Sequence, residues 1–319
     1  MDALKIQIEY ELQRFNTTTK SIETLFIGGG TPSTVKPSLY REIFELLLPY
    51  LSDDVEITSE ANPNSASYEW LEGMRALGVN RISFGVQSFD AKKLKLLNRA
   101  HTPQMARDAL LNAQKVGFEN LSLDLIYATA GDTQELLEDD LNEAFALPIN
   151  HLSAYALTIE EGTAFERKPQ MAKEYLETTK WLFKAIEERG LKQYEISNFG
   201  SYQSKHNLGY WQYKDYIGAG AGAVGKLHNR RFYPQRVIES YIKNPLKIEI
   251  EELSDEDMRI EQIFLGFRSC IGVDKAILSD EESIRALVLQ EEQKISFKDG
   301  RFYNLDYLLA DELTLFLTS

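Results

Sequence analysis

Cysteine is almost absent from this sequence of 319 residues, because Cys270 is the single one. One thiol excludes an intrachain disulfide framework, and it excludes a Cys-rich zinc or iron–sulfur site built from this chain alone. The scarcity of cysteine fits a reducing compartment. Basic residues are also in the minority, with 35 Lys and Arg against 49 Asp and Glu and a net charge of −14. We therefore expect no general affinity for nucleic acid or anionic lipid.

Long apolar runs are missing as well. No stretch of about 18 apolar residues is present, so we expect no membrane-spanning helix. Residues 1–15 carry charges throughout and lack the apolar core of a secretory signal. These features predict a cytoplasmic protein. At roughly 150 residues per domain, the length predicts two domains, or one α/β barrel with an appendage.

Short apolar runs alternate with amphipathic segments through the first two hundred residues. We predict strands near residues 26, 57, 84, 123, 154 and 195, the last at Tyr194–Ile196, with helices between them. This serial βα order is typical of a parallel sheet or a (β/α) barrel, in which the C-terminal ends of the strands carry the chemistry. The first helix, over residues 1–15, has no strand before it, so we expect that a strand is missing from the front.

The remainder of the chain has a different character. Residues 200–245 are rich in Gly, Tyr and Asn and are interpreted as an elaborated loop region. A capping box at Ser254–Asp257 predicts a helix through Phe267, and Lys298–Arg301 predicts a hairpin turn. Helices followed by a small hairpin indicate a winged-helix-like domain over residues 246–319. Its 8 basic and 17 acidic residues argue against DNA binding and favour a docking or lid domain.

Residues suited to ligand binding follow four of the predicted strands. The first strand ends in a turn that can approach an anionic group closely, although a tight turn needs the same residues: Gly28, Gly29, Gly30 and Thr31. Glu60 could receive an ammonium group or be a solvated loop acid. Gln87 offers directional hydrogen bonds, and Arg99 offers a bidentate carboxylate contact or an ordinary surface ion pair. Asp124 lies in an apolar run and must be hydrogen-bonded, to a sugar diol or in a structural salt bridge. Together these residues suit a zwitterionic amino acid joined to a ribose.

The same residues and their neighbours resemble the oxygen-independent coproporphyrinogen III oxidase superfamily of radical S-adenosylmethionine proteins. The segments that carry the resemblance are 28–33, 60–63, 81–89, 98–101, 124–127 and 154–163. It implies a partial, TIM-like (β/α) barrel over residues 1–245 and a small α+β domain over 246–319. It also implies that the glycine turn and Glu60 hold the methionine end of S-adenosylmethionine, and that Gln87, Arg99 and Asp124 hold its carboxylate and ribose.

A second motif, between His206 and Trp211, indicates one branch of that superfamily. A histidine beside aromatic rings suits a porphyrin, because imidazole can ligate the iron and flat rings can pack on the macrocycle. A core histidine with anchoring aromatics is the alternative. The His-Asn-x-x-Tyr-Trp pattern is similar to the HemW-type haem chaperones, which implies haem binding by His206, Tyr210 and Trp211 and delivery to a recipient. Oxidation of coproporphyrinogen III to protoporphyrinogen IX, or cluster-free binding, are the alternative functions.

The chain departs from that superfamily in three places, and one of them is Val224, which follows the small-residue loop 218–223 where a His or a polar residue is more usual. The Cys-x-x-x-Cys-x-x-Cys loop that holds a [4Fe–4S] cluster in the family is absent, so we expect no cluster on this chain and leave open whether it is an enzyme. Because the strand and the cysteines are missing together, we expect a truncated front end rather than a degenerate relative. After Tyr127, the family's Gly-Leu-Pro-Gly-like turn is replaced by residues 128–131 (Ala-Thr-Ala-Gly). The haem recipient, and whether the chain forms a homodimer, stay open.

Overall fold

A computed structural model describes residues 1–159, 166, 168–173 and 176–319. The helices are α1 (Asp2–Arg14), α2 (Arg41–Leu47), α3 (Tyr68–Ala76), α4 (Ala91–Leu96), α5 (Pro103–Val116), α6 (Gln134–Phe145), α7 (Leu176–Glu188), α8 (Lys205–Trp211), α9 (Ile238–Lys243), α10 (Asp255–Phe267), α11 (Asp280–Glu291) and α12 (Ala310–Thr318). The strands are β1 (Ile22–Ile27), β2 (Leu51–Ala61), β3 (Arg81–Gln87), β4 (Asn120–Tyr127), β5 (His151–Ala156), β6 (Lys192–Gln193), β7 (Asn198–Gly200), β8 (Gly225–Leu227), β9 (Arg230–Pro234), β10 (Ile248–Glu252), β11 (Val273–Asp274), β12 (Ile295–Lys298) and β13 (Arg301–Asn304).

The largest sheet has seven strands in the order β1-β2-β3-β4-β5-β7-β6. Strands β2 to β5 pair in parallel, each with the next along the chain. The predicted partial (β/α) barrel is therefore confirmed. In such a sheet the carboxyl ends of the parallel strands meet at one edge, and this brings the predicted ligand-binding segments to the same side.

The far edge of this sheet corrects one prediction. Residues Tyr194–Ile196 were expected to form a further strand of the βα series, but they lie between β6 and β7, which pair antiparallel with each other, and β7 pairs antiparallel with β5. Only residues 194–197 separate β6 from β7. A connection this short allows a hairpin and not the crossover that a parallel pair needs.

Local end signals explain where several helices begin and end. The Thr102 side chain accepts a hydrogen bond from the Met105 N–H, and Pro103 occupies the first turn of α5. Gly117 ends that helix with a φ of 98°, the left-handed conformation that glycine adopts without strain. Helix α10 begins with the predicted capping box, in which Ser254 and Asp257 hydrogen-bond reciprocally.

The described chain divides into two compact units. The first consists of Met1–Glu23, Tyr40–Val55 and Ser204–Ser319, and the second of Thr24–Leu39 and Glu56–Gln203. In the second unit the buried side chains of Leu71, Met74, Phe84 and Leu123 belong to the core. The boundary expected at residue 246 stays a prediction.

Within the first unit, α10, α11 and α12 pack with a small sheet in the order β11-β13-β12. Their core includes Phe267, Leu289 and Phe302. The predicted hairpin is present, since Lys298 pairs with Arg301 across a two-residue turn. This arrangement confirms the small α+β, winged-helix-like domain that was expected after the barrel.

The interpretation of residues 200–245 as an elaborated loop region was wrong. They contain α8, the antiparallel strands β8 and β9, and α9. These elements are three to seven residues long, which is too short for hydrophobic periodicity to indicate them. Along the described residues, no helix combines the length and apolar character that spanning a bilayer requires.

Candidate functional site

The glycine turn after β1 is held against the end of β2. The Gly29 N–H donates to Glu60 Oε2 at 3.1 Å. A Cβ on Gly28 would lie 2.4 Å from the Phe26 ring and 3.1 Å from Glu60 Cδ, so a side chain has no room there. Gly29 and Gly30 have φ values of 75° and 93°, which favour glycine. The sequence therefore needs glycine here for close packing and for conformation.

Asp124 is the acid of β4 that the sequence places in an apolar run. Burial raises its pKa from 3.8 to about 6; Ser153 and Ser83 hydrogen-bond to the carboxylate and oppose that rise, while the charge of Glu60 adds to it. The Ser83 Oγ lies 3.4 Å from Asp124 Oδ1. Burial also raises the pKa of Glu60, against the hydrogen bond from Gly29. The two acids therefore lie within electrostatic range of each other, Glu60 near the end of β2 and Asp124 inside β4.

Gln87 and Arg99 complete the predicted set after β3. Gln87 is buried and has a φ of 71°. The pairing between β3 and β4 shifts register just before Gln87, so that Gln87 pairs with Leu125, the residue after Asp124. Arg99 is exposed, and it is close enough to Asp124 for their charges to interact. The site thus combines two acids, an amide and a guanidinium, a set that can hold both ends of a zwitterion.

Two supports of this edge were not found from the sequence. His101 is buried, and its Nε2 lies 2.8 Å from the Val86 carbonyl oxygen, which ties the Arg99 segment to the end of β3. Burial lowers the pKa of His101, which keeps the ring neutral at pH 7. The sequence signal for such a role is weak, because one histidine in a polar segment indicates no particular contact.

The second support is a buried ion cluster. Lys93 Nζ lies 2.8 Å from Asp132 Oδ1 and 3.7 Å from Asp140 Oδ2, and all three side chains are at most 4% exposed. The Ser88 Oγ and the Phe89 N–H both donate to Asp140. The cluster joins the loops that follow β3 and β4. The sequence does contain a signal for it, because Asp140 falls within the apolar stripe of α6.

The histidine motif lies on α8, whose first turn is capped by Ser204. His206 and Tyr210 are four residues apart and share a face of the helix. His206 Nε2 lies 3.1 Å from the Tyr210 hydroxyl oxygen, and their rings meet edge to face with centroids 4.9 Å apart. Tyr210 in turn meets Tyr216 at 4.7 Å. Burial raises the pKa of Tyr210 to about 12.

Trp211 is placed differently from the other two motif residues. It is five positions after His206, which corresponds to about 140° around the helix axis. Its ring is half-buried, and the indole N–H has no hydrogen-bond partner among the described residues. The structure therefore brings His206 and Tyr210 together with Tyr216, a residue that the sequence motif does not include.

Exposure distinguishes His206 from the other histidines of the chain. His101 and His151 are 3% and 1% exposed, and both rings are hydrogen-bonded inside the second unit. His228 lies on the turn between β8 and β9 with its side chain 81% exposed. His206 is partly exposed and flanked by aromatic rings. His206 therefore combines accessibility to solvent with contact to aromatic rings.

Across the described ranges, no group of three or more His, Cys, Asp and Glu side chains is arranged to hold a metal ion. Of the segment 154–163, which contributes to the family resemblance, residues 160–163 lie outside the described residues.

Comparisons with known proteins identify the family of this chain. Residues 5–144 match the model of the radical SAM superfamily. The chain is 35% identical over 286 residues to "Heme chaperone HemW" of Bacillus subtilis (strain 168), which covers 83% of this chain and 76% of that protein. It is 31% identical over 299 residues to the protein of the same name from Mycobacterium tuberculosis, covering 89% and 77%.

Among solved structures, the chain is similar to coproporphyrinogen III oxidase (HemN) from Escherichia coli, a radical SAM enzyme. The TM-score is 0.83, and the match covers all of this chain and 82% of that one. The sequences are 18% identical. This likeness supports the fold of the whole chain and does not bear on the reaction.

Proposed function

The chain belongs to the HemW family of radical S-adenosylmethionine proteins, and from this premise we propose that it is a haem chaperone that binds haem at α8 and passes it to a recipient protein. The observation that carries the proposal is the partly exposed His206 beside Tyr210 and Tyr216. Imidazole is the usual axial ligand of haem iron, and aromatic rings pack well against its faces. The curated relatives bear the name of haem chaperone.

The experiment is a haem titration of the purified chain, followed by the Soret band. We expect His206→Ala to weaken binding by at least about tenfold, since it removes the ligand to the iron. His228→Ala is the matched control, because His228 is exposed and stands apart from the motif, and it should bind as the wild type does. Equal affinity of His206→Ala and wild type would reject the assignment of this ligand.

Family membership implies S-adenosylmethionine as a ligand, and the residues at the strand ends fit it. Glu60 and the Gly29 backbone would hold the methionine end. Gln87 and Arg99 would hold its carboxylate, and Asp124 would hold the ribose, since a carboxylate accepts hydrogen bonds from a diol. The glycine turn supports this assignment because it leaves backbone close to Glu60 with no intervening side chain. Bound S-adenosylmethionine would supply the radical chemistry of this family where a reducing cluster is present beside it.

The [4Fe–4S] cluster that the family implies does not fit the residues of this chain. Its binding needs three cysteines in a short loop, and the chain has one cysteine, Cys270, in the segment between α10 and β11. We derive no step through the cluster. Oxidation of coproporphyrinogen III, the alternative function, is supported by likeness of fold alone, so haem handling is the function we put forward. A cytoplasmic location and a homodimer stay predictions.

A further inference from the structure

A cavity of about 310 Å³ lies directly beside the His206–Tyr210 pair. Most of its wall is apolar and aromatic, and charged side chains also line it. The lining includes Tyr210, Tyr213, Tyr216, Phe264, Lys226 and Arg231. Tyr210 belongs both to the histidine motif and to this wall, so the cavity is continuous with the proposed haem site.

Ring contacts connect the cavity to the histidine. The centroid of His206 lies 4.9 Å from that of Tyr210, and Tyr210 lies 4.7 Å from Tyr216. A porphyrin is several times wider than a phenol ring. A macrocycle whose iron is ligated by His206 would therefore extend past Tyr210, and Tyr216 and Phe264 offer apolar surface to the part that does so.

The charged groups differ in how firmly they are held. Lys226 is 6% exposed, lies 3.1 Å from Asp215 and packs 4.0 Å above the Tyr213 ring, so it is fixed in place. Arg231 is 25% exposed; it is paired with Glu261 and lies 3.7 Å from Glu251. Lys226 and Arg231 are thus both neutralised by acids, and Arg231 is the more exposed of the two. Lys214 also lines the cavity; its side chain is 50% exposed and its Nζ lies 2.6 Å from Glu23 Oε2.

Arg231 has N–H donors available for a ligand while it stays paired with Glu261. Its guanidinium carries five N–H donors, which is more than its bond to Glu261 uses. Glu261 has a second partner, because the Tyr213 hydroxyl donates to it at 2.6 Å. A guanidinium in the wall of a largely apolar cavity suits a carboxylate attached to a flat apolar ring.

We propose that this cavity takes the carboxylate-bearing edge of a tetrapyrrole, with Tyr216 against the ring and Arg231 hydrogen-bonded to a propionate. The proposal rests on the haem-binding function proposed above. It adds a residue outside the histidine motif that determines specificity, since Arg231 would favour tetrapyrroles with free propionates over those without them.

The test compares haem with its dimethyl ester, which keeps the iron and the ring and lacks the carboxylates. Wild type should bind haem more tightly than the ester. We expect Arg231→Gln to lower haem affinity at least about tenfold, as for loss of a charged hydrogen bond, and to leave ester affinity unchanged. Arg230→Gln is the matched control, since the neighbouring Arg230 is exposed and paired with Glu252, and it should change neither affinity.

Two further variants keep the test decisive. Tyr216→Leu should weaken haem and ester by the same factor, because it removes ring contact and no charge. If Arg231→Gln does not fold, Arg231→Lys keeps the charge without the planar fork and should give an intermediate preference for haem. An Arg231 variant that lowers both affinities equally, or lowers neither, would overturn the proposal. In that case, weaker haem binding by His206→Ala would still support the haem-binding function. A wild type that binds neither compound would reject both.

Discussion

Replacing Asp124 with asparagine should stabilise the protein, and the gain should depend on pH. The change keeps the shape of the side chain and an acceptor for Ser153 and Ser83, and it removes the buried charge. Burial raises the pKa of Asp124 from 3.8 to about 6, so the folded state binds this proton more tightly than the unfolded state does. The contribution of Asp124 to stability is therefore fully present below pH 3.8 and is lost as the pH rises through 6.

The size of the effect follows from the shift. About two pKa units correspond to about 3 kcal/mol, which is the expected gain of Asp124→Asn at pH 8. At pH 5 the gain should be about half as large, because the folded carboxyl is then mostly protonated in the wild type. Urea unfolding at both pH values measures the difference. The same variant should lose affinity for S-adenosylmethionine, if Asp124 holds the ribose as proposed.

A matched control separates burial from mere loss of an acid. Asp139 is exposed on α6, and Asp139→Asn should change the free energy of unfolding by no more than about 0.5 kcal/mol. A destabilised Asp124→Asn at pH 8, or a gain that does not change between pH 5 and pH 8, would refute the reasoning.

Two further predictions concern the loops around this edge, and both are measured by urea unfolding. Ala128 is buried with a φ of 61°, so Ala128→Gly should stabilise the folded protein by about 1 kcal/mol. Ala130 has no positive φ, so the control Ala130→Gly should destabilise it by about 0.5 kcal/mol. Changes of the same sign in the two variants would contradict this reasoning. Lys93→Met leaves two buried carboxylates without their cation and should destabilise the folded protein by about 3–5 kcal/mol. The control Lys95→Met, at an exposed lysine, should change the free energy of unfolding by no more than about 0.5 kcal/mol. A loss below about 1 kcal/mol for Lys93→Met would show that Lys93 is not coupled to these carboxylates.

Features fixed by local sequence were predictable, and α5 is the clearest case. The polar cap at Thr102, the proline after it and Gly117 mark both ends of the helix over Pro103–Val116. The parallel strands β2 to β5 were predictable from short apolar runs bounded by turn residues. Residues 192–200 were not, because nothing in a two-residue strand distinguishes an antiparallel hairpin from one more βα unit.

Features that depend on distant contacts could not be read in the same way. The motif between His206 and Trp211 was visible in the sequence, whereas Tyr216 and Arg231 join it only through the packing of later elements. Asp124 was expected to be hydrogen-bonded, but its partner Ser153 lies on the next strand, and its register decides the contact. Ala128 was noted as a departure from the family turn, and only the backbone shows that this position has a positive φ of 61°, which glycine would adopt with less strain.

The hydrogen bond between His206 and Tyr210 affects how haem would be released. The ring nitrogen that an incoming iron needs is already engaged by a phenol 3.1 Å away. Capture must displace that contact, and departure of the iron restores it. A net hydrogen bond of about 1 kcal/mol weakens retention about fivefold. For a carrier this is useful, because a protein that only transports a metal complex must hold it less tightly than its destination does.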